Sequence, residues 1–280
     1  MFISDLYYAI KIWKRAHKTI IPPIGKGKSL SILANGPSLR EKLEKNINFF
    51  EDKNVLCVNS IVETEYYTKL KPLAFVVIDG GLLGTDHNMT EAQKDKARAF
   101  SDNIVNKTTW DMYLFLPKAS KKSKLAMAVD TNKYIHVIYV NTNVYKGNNK
   151  AIEYAMWNKF WCCPRMENVL VASVFISILM RFSNIYLYGA DHDWIKTIGV
   201  DDNNNVYTEY RHVYKDKDTK ALFRINNEDR GMHLGELLEE WVCVWNTYYK
   251  LNDFAKRNGT TIYNATPNSL IDAFVRKLDV

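Results

Sequence analysis

Leu30-Ser31-Ile32-Leu33-Ala34-Asn35-Gly36-Pro37-Ser38 is the stretch on which the fold turns. Five mostly apolar residues break into a glycine turn, and a polar helix follows from Leu39 to about Phe50. A short continuous apolar run ended by such a turn reads as a strand buried on both faces. Ser38 reads as the helix N-cap, with Glu41 three residues later completing a capping box.

The same grammar repeats outward from that stretch. Val55–Val58 ends at Asn59-Ser60, and Ala74–Ile78 ends at Asp79-Gly80-Gly81. Weaker strands are expected at 112–116 and 135–139. A helix over about 168–182, with Val169, Ala172, Ser173, Ile176 and Met180 on one face, leads into Ile185–Gly189 and then Ala190-Asp191-His192-Asp193. Residues 195–230 are polar and tyrosine-rich, with a turn cluster from Asp201 to Asn205, and read as an excursion from the core. A helix over 234–256 follows, with the stripe Leu237, Leu238, Trp241, Val242, Trp245, Tyr248 and Tyr249, closed by Asn258-Gly259. Thr261–Asn264 is the last strand expected, and Pro267-Asn268-Ser269 is expected to open a terminal helix. Strands alternating with helical segments predict a Rossmann-like α/β fold, a parallel sheet with helices on both faces and a small lid. The expected organisation is an amphipathic basic helix in 1–24, a nucleotide-binding domain over 29–194, a lid-like excursion over 195–232 and the rest of the Rossmann-like domain over 233–280.

The chain has 280 residues, 47% of them hydrophobic, enough for a sizeable core. Its net charge of +7 is not gathered in one block. A basic surface suits anionic partners such as nucleotides or lipid head groups, and equally describes a well-solvated exterior. Neither zinc-finger spacing nor an RNA-binding aromatic signature is present, so no nucleic-acid partner is expected. Cys57, Cys162, Cys163 and Cys243 follow no metal-binding spacing and read as reduced thiols. No apolar stretch approaches the ~20 residues of a membrane span, and the start lacks a signal-peptide core; a cytoplasmic location is expected. Residues 2–21 read as an amphipathic helix, with Phe2, Leu6, Ile10, Trp13, His17 and Ile20 recurring among Lys11, Lys14, Arg15 and Lys18. Such a helix packs on its own domain or lies on the inner membrane face. Homo-oligomerisation is left open.

In open α/β sheets ligands bind beyond the carboxyl ends of the strands. The polar residues at those ends are Asn35-Gly36, Asn59-Ser60, Asp79-Gly80, Asp191-His192 and 264–269. Gly36 admits close backbone approach, and the helix N-terminus after it is expected to offer N–H groups to a phosphate. The turn lacks the third glycine of the dinucleotide fingerprint and the Gly-Lys-Ser/Thr of a P-loop.

Three blocks resemble the bacterial sialyltransferases of glycosyltransferase family 42, and related bacterial proteins of uncharacterised function. They are Ala34-Asn35-Gly36-Pro37-Ser38-Leu39, Ile185-Tyr186-Leu187-Tyr188-Gly189-Ala190-Asp191 and Thr266-Pro267-Asn268-Ser269-Leu270-Ile271-Asp272-Ala273-Phe274, in the family's order. The resemblance implies a variant GT-A fold and transfer of a sialic or related nonulosonic acid from a CMP-sugar to a glycan hydroxyl. The acceptor would be a bacterial surface polysaccharide or lipid-linked glycan. It implies no metal and no cofactor beyond that donor. Asn35 and Asn59 match nucleotide-contacting asparagines, whereas Asp79 stands where the family has asparagine. Gly36, Ser38, Asp191, Asn268 and Ser269 belong to the matching blocks and join the expected donor site.

Tyr207 is similar to a lid tyrosine that binds the donor phosphate, with Tyr210 and Tyr214 as rivals. The family's general-base histidine aligns with Glu236, and His233 lies three residues earlier. His233 is preferred, since an imidazole near its ordinary pKa of about 6.5 needs little tuning for work at neutral pH. His192 is a third candidate base, and Asp191-His192-Asp193 raises a metal site, although consecutive residues on an extended stretch point to opposite sides. Two departures, Asp79 and Val169-Leu170, leave room for a UDP-sugar or pyrophosphate donor. Loss of the base position to Glu236 leaves room for an inactive glycan- or nucleotide-binding protein.

Overall fold

The computed structural model describes residues 2–16, 18–86, 89–210, 219–222 and 230–279, with side chains at 2–3, 209–210 and 219–222 outside that description. From the N-terminus run α1 (Phe2–Arg15), β1 (Ser29–Leu33), α2 (Pro37–Asn46), β2 (Asn54–Val58), α3 (Tyr66–Leu70) and β3 (Ala74–Val76). Then come α4 (Gly80–Leu83), α5 (Glu91–Lys107), β4 (Met112–Pro117), α6 (Lys124–Val129), β5 (Ile135–Val140), α7 (Lys150–Asn158) and α8 (Val169–Leu179). The chain continues through β6 (Asn184–Tyr188), β7 (Gly199–Val200), β8 (Val206–Tyr210), β9 (Thr219–Leu222), α9 (Leu234–Arg257), β10 (Thr261–Asn264) and β11 (Val275–Arg276).

Eight strands form one sheet in the order β11-β10-β6-β1-β2-β3-β4-β5, and each of their pairings is parallel. The fold is therefore α/β with a parallel sheet between helices. The chain builds outward from β1 to β5, then returns to lay β6 on the other flank of β1. That reversal puts the topological switch point between β1 and β6, where such sheets open a crevice. A separate antiparallel sheet, β7-β8-β9, forms within the excursion.

The core lies in two layers, one on each face of the sheet. One contains α8 and the inner face of α9; the other contains residues of α2, α3, α5 and α6. The expected one-sided α8 is instead buried on every side from Leu170 to Leu179, as befits a helix that is apolar all round. Its two hydroxyls are satisfied locally: Ser173 Oγ donates to the Val169 carbonyl at 2.7 Å and Ser177 Oγ to the Ser173 carbonyl at 2.6 Å. On α9 the buried line is Leu237, Trp241, Val244, Tyr248, Leu251 and Ala255. Leu238, Val242 and Tyr249 of the expected stripe face out, because spacing near 3.5 residues keeps only one line inward.

Three local expectations are corrected. The first helix ends at Arg15, not near Ile21, since the chain then runs to the sheet edge, where Thr19 Oγ1 donates to the Tyr139 carbonyl at 3.1 Å. His17 lies outside the described residues. The cap of α2 is Gly36, with Pro37 in the first turn and no side-chain cap bond; Ser38 Oγ is engaged elsewhere. The terminal helix is absent: Asn264 Nδ2 ties down Ser269 Oγ at 2.9 Å and the Ile271 carbonyl at 3.0 Å, and the chain ends as β11 alongside β10.

Candidate active site

The β1 turn is fastened to the β6 turn. Ala34 N–H donates to the Tyr188 carbonyl at 2.9 Å and Gly36 N–H to the Gly189 carbonyl at 2.8 Å. Both glycines are required by close approach. A Cβ on Gly36 would run into the Asp191 carboxylate, and Gly189, at φ +68°, would bring one to 2.7 Å from Leu39 Cβ. Asp191 then reaches back across this seam, accepting from Ser38 Oγ at 2.8 Å and Ser38 N–H at 3.4 Å.

This overturns one expectation. The N-terminus of α2 is not open to a phosphate, because its first donors are taken internally. Gly36 N–H goes to Gly189, Leu39 N–H to the Gly36 carbonyl at 3.1 Å, Ser38 N–H to Asp191, and Pro37 has none. The side chain Asp191 supplies the negative charge that a helix N-terminus favours.

Beside the seam is a cavity of about 490 Å³, bordered by the ends of β1, β2, β3 and β6 and the start of α8. It brings together Asn35, Gly36, Asn59, Asp79 and Asp191 of the expected donor site, and His192 with them. Two of these present an unusual feature. Asn35 Oδ1 and Asn59 Oδ1 are buried and have no hydrogen-bond partner. Buried acceptors left unpaired cost about 1–3 kcal/mol each, and both belong to residues that line the cavity. Asn59 is held at φ +50°, a left-handed conformation that asparagine tolerates better than most residues. Apolar side chains also line the cavity, among them Ile78, Met166, Val169 and Leu170. Asp79, Glu167, Asp191 and Asp193 also line the cavity, and neither Lys nor Arg is among its described lining residues.

Burial raises the Asp191 carboxyl from its ordinary 3.8 to about 6, against the Ser38 hydrogen bonds, with the neighbouring Asp193 charge adding to the rise. His192 is driven the other way: burial lowers its pKa to about 4, so it is neutral at pH 7. His192 adopts φ +54°, packs among Trp194, Trp245 and Tyr248, and meets Tyr248 Oη through Nε2 at 2.8 Å. Tyr248 Oη in turn meets the Asn168 side chain at 3.2 Å, and Asn168 Oδ1 caps α8 through Val171 N–H at 2.9 Å. Asp191 and His192 thus serve different partners, and among the described residues no group of three His, Cys, Asp or Glu side chains gathers for a metal.

The other expected residues lie as follows. Asp79 is exposed at the cavity rim and caps α4, accepting from Gly81 N–H at 2.8 Å and Leu82 N–H at 3.4 Å. A second cavity of about 700 Å³ shares Pro37, Asp191 and Asp193 with the first and is lined also by Ser38, Lys42, Lys196 and Asn268. Ser269 is a buried stitch whose Oγ donates to the Ala190 carbonyl at 2.6 Å. Tyr207 lies in β8 with its ring against Gly199 and is not among the residues lining either cavity. The Tyr210 side chain and Tyr214 fall outside the described residues.

His233 and Glu236 are likewise absent from both linings. His233 is exposed at the N-cap of α9, where its N–H donates to Glu236 Oε2 at 2.8 Å. Arg230 grips the same carboxylate in a fork, at 2.9 and 2.8 Å. These bonds hold Glu236 down at about 2, which removes the basicity a proton acceptor needs. Glu167, Asn168 and Trp194 were not anticipated at the site. Asn168 was findable as the polar residue directly before an apolar helix, whereas Tyr248 is hidden within an apolar stripe.

No family model matches this chain, and no curated protein compared with it is similar in sequence. Among solved structures, the chain is similar to the MAf glycosyltransferase from Magnetospirillum magneticum AMB-1, with a TM-score of 0.48 and 10% sequence identity. The match covers 98% of this chain and 38% of that one, so this chain spans well under half the length of its neighbour.

Proposed function

We propose that this chain is a glycosyltransferase whose nucleotide-sugar donor seats its nucleoside in the cavity between β1, β2 and β6, and that the donor is CMP-linked. The observation that carries this reading is the pair of buried, unpaired carbonyl oxygens on Asn35 and Asn59. A cytosine amino group and ribose hydroxyls are donors of the kind those oxygens require, and the apolar lining residues Ile78 and Leu170 suit the flat face of a base. The three sequence blocks support the same choice.

In the transfer, a bond forms between an acceptor hydroxyl oxygen and the sugar's anomeric carbon while the bond from that carbon to the phosphate oxygen breaks. The hydroxyl proton passes to Asp191, a carboxyl on the cavity wall whose pKa burial raises to about 6, towards working pH. Asp191 replaces His233 and Glu236 in that role because it borders both cavities. The leaving phosphate faces the second cavity, whose lining sets Lys42, Lys45 and Lys196 beside Glu41, Asp191 and Asp193. The acceptor is a glycan hydroxyl of a surface polysaccharide or lipid-linked glycan.

The test is a thermal-shift and calorimetric panel of CMP, UDP, GDP and ADP. CMP at a hundredfold excess over its Kd would stabilise by about 2.7 kcal/mol. In Asn35→Ala, CMP affinity should fall about tenfold or more, since each lost bond is worth roughly 1–3 kcal/mol. At Asn59 the substitution is to Gly, because Ala would add strain at positive φ. No stabilisation by CMP removes the donor assignment; unchanged CMP affinity in both variants removes the site.

A further inference from the structure

Helix α1 is apolar on two sides, and only one of them is covered. The covered side is anchored by Asp5, buried to 2% exposure. Its carboxylate accepts from Tyr145 Oη at 2.6 Å and from the N–H groups of Asn148 and Asn149 at 2.7 and 3.2 Å. Tyr8, Ala9 and Ile12 pack beneath it. The uncovered side carries Leu6, Ile10 and Trp13, spaced to form one line along the helix. These side chains are 59%, 44% and 59% exposed, and Tyr7 beside them is 59% exposed. Lys11 and Lys14 flank the line, and both are exposed.

The basic, apolar character continues past the helix. Ile20 is 73% exposed, and Lys18, Thr19 and Ile20 border a cavity of about 310 Å³ together with Lys118, Lys121 and Tyr139. Lys118 and Lys121 follow β4, and Thr19 is bonded to the penultimate residue of β5. This surface therefore lies at the carboxyl end of the parallel strands, the end at which the active-site cavity opens.

We infer that the outer face of α1, with the lysines around Ile20, docks on an anionic lipid surface. The chemistry selects that partner. The only acid of α1, Asp5, is buried among its own hydrogen bonds, so no carboxylate of the helix opposes the exposed lysines. Trp and Tyr beside lysines suit the boundary between headgroups and acyl chains. The docking stands whether or not the cavity holds a nucleotide.

Flotation of the whole chain with phosphatidylcholine vesicles, with and without roughly one-third phosphatidylglycerol, tests it. The wild type should float with the anionic vesicles, remain behind with the neutral ones, and detach as salt is raised. Ile10→Glu with Trp13→Glu should abolish flotation, and Lys11→Gln with Lys14→Gln should weaken it about thirtyfold. All four side chains are exposed, so unchanged melting temperatures verify that the fold is intact. Failure of the wild type to float with anionic vesicles overturns the proposal. So does equal flotation of the Ile10/Trp13 variant, or equal flotation on neutral vesicles.

Discussion

Asp191→Asn should make the protein more stable above pH 6 and slightly less stable near pH 4. In the folded chain the carboxyl titrates at about 6 against an ordinary 3.8. Between those values the native state holds a proton that the unfolded chain has released, so stability falls as pH rises through the window. At 1.36 kcal/mol per pH unit of displacement, the ionised Asp191 costs about 3 kcal/mol at neutral pH. Asparagine removes that charge but offers Ser38 one carbonyl oxygen in place of two carboxylate oxygens, a loss of about 1 kcal/mol at every pH. His192 works in the opposite direction. Its pKa is about 4 against 6.5, so the unfolded chain takes up a proton that the native state refuses, and stability falls as pH drops through that window. In the wild type these two slopes oppose one another, and Asp191→Asn removes the first. Urea denaturation of both proteins from about pH 4 to pH 7.5 isolates the term, because the His192 contribution drops out of the difference. The difference should grow in the variant's favour by about 2.4 kcal/mol across that range. A difference that stays constant with pH would refute the account of Asp191 as a carboxyl ionised at a cost.

Two further outcomes follow from the seam and from α9. Gly36→Ala places a methyl group against the Asp191 carboxylate and 2.6 Å from the Gly189 carbonyl oxygen; urea denaturation should show a loss of about 1–3 kcal/mol, the range for forced overpacking. Glu236→Gln should loosen the first turn of α9 and lower the melting temperature while leaving donor hydrolysis and transfer unchanged, and His233→Ala should also keep its activity. A hundredfold loss of rate in either variant would return the base to that position.

The sheet was legible because parallel strands buried on both faces are written as uninterrupted apolar runs. Val55–Val58 and Ile185–Tyr188 each carry one, Leu30–Ala34 is broken by Ser31 alone, and each is ended by polar residues that border the cavity. Patterns within a segment fared less well where a distant partner decided the outcome. Ser38 reads locally as an N-cap, yet its hydroxyl is claimed by Asp191, 153 residues away. His192 reads as a member of a D-H-D cluster, yet its ring is held by Tyr248, 56 residues on, at a position that looks like plain helix core. The Pro267-Asn268-Ser269 stretch has the composition of a helix start. The Asn264 side chain fastens it to the sheet before a helix can form, and nothing in the local periodicity signals that clamp.

The distribution of charge constrains how a nucleotide sugar would lie in this site. The chain is basic overall, at +7, but the cavity holding Asn35 and Asn59 is walled by four carboxylates with no described lysine or arginine. A phosphate placed there would meet repulsion, and the usual seat at the N-terminus of α2 is filled by Asp191. In the neighbouring cavity Lys42, Lys45 and Lys196 balance Glu41, Asp191 and Asp193. Lys42 Nζ is steadied 3.9 Å from the centre of the Phe49 ring and 4.8 Å from that of Tyr188. On the proposed reading the nucleoside occupies the first cavity and the phosphate faces the second, so the bond that breaks lies near their common wall. Asp191 is on that wall, which is where a group taking the acceptor's proton has to be.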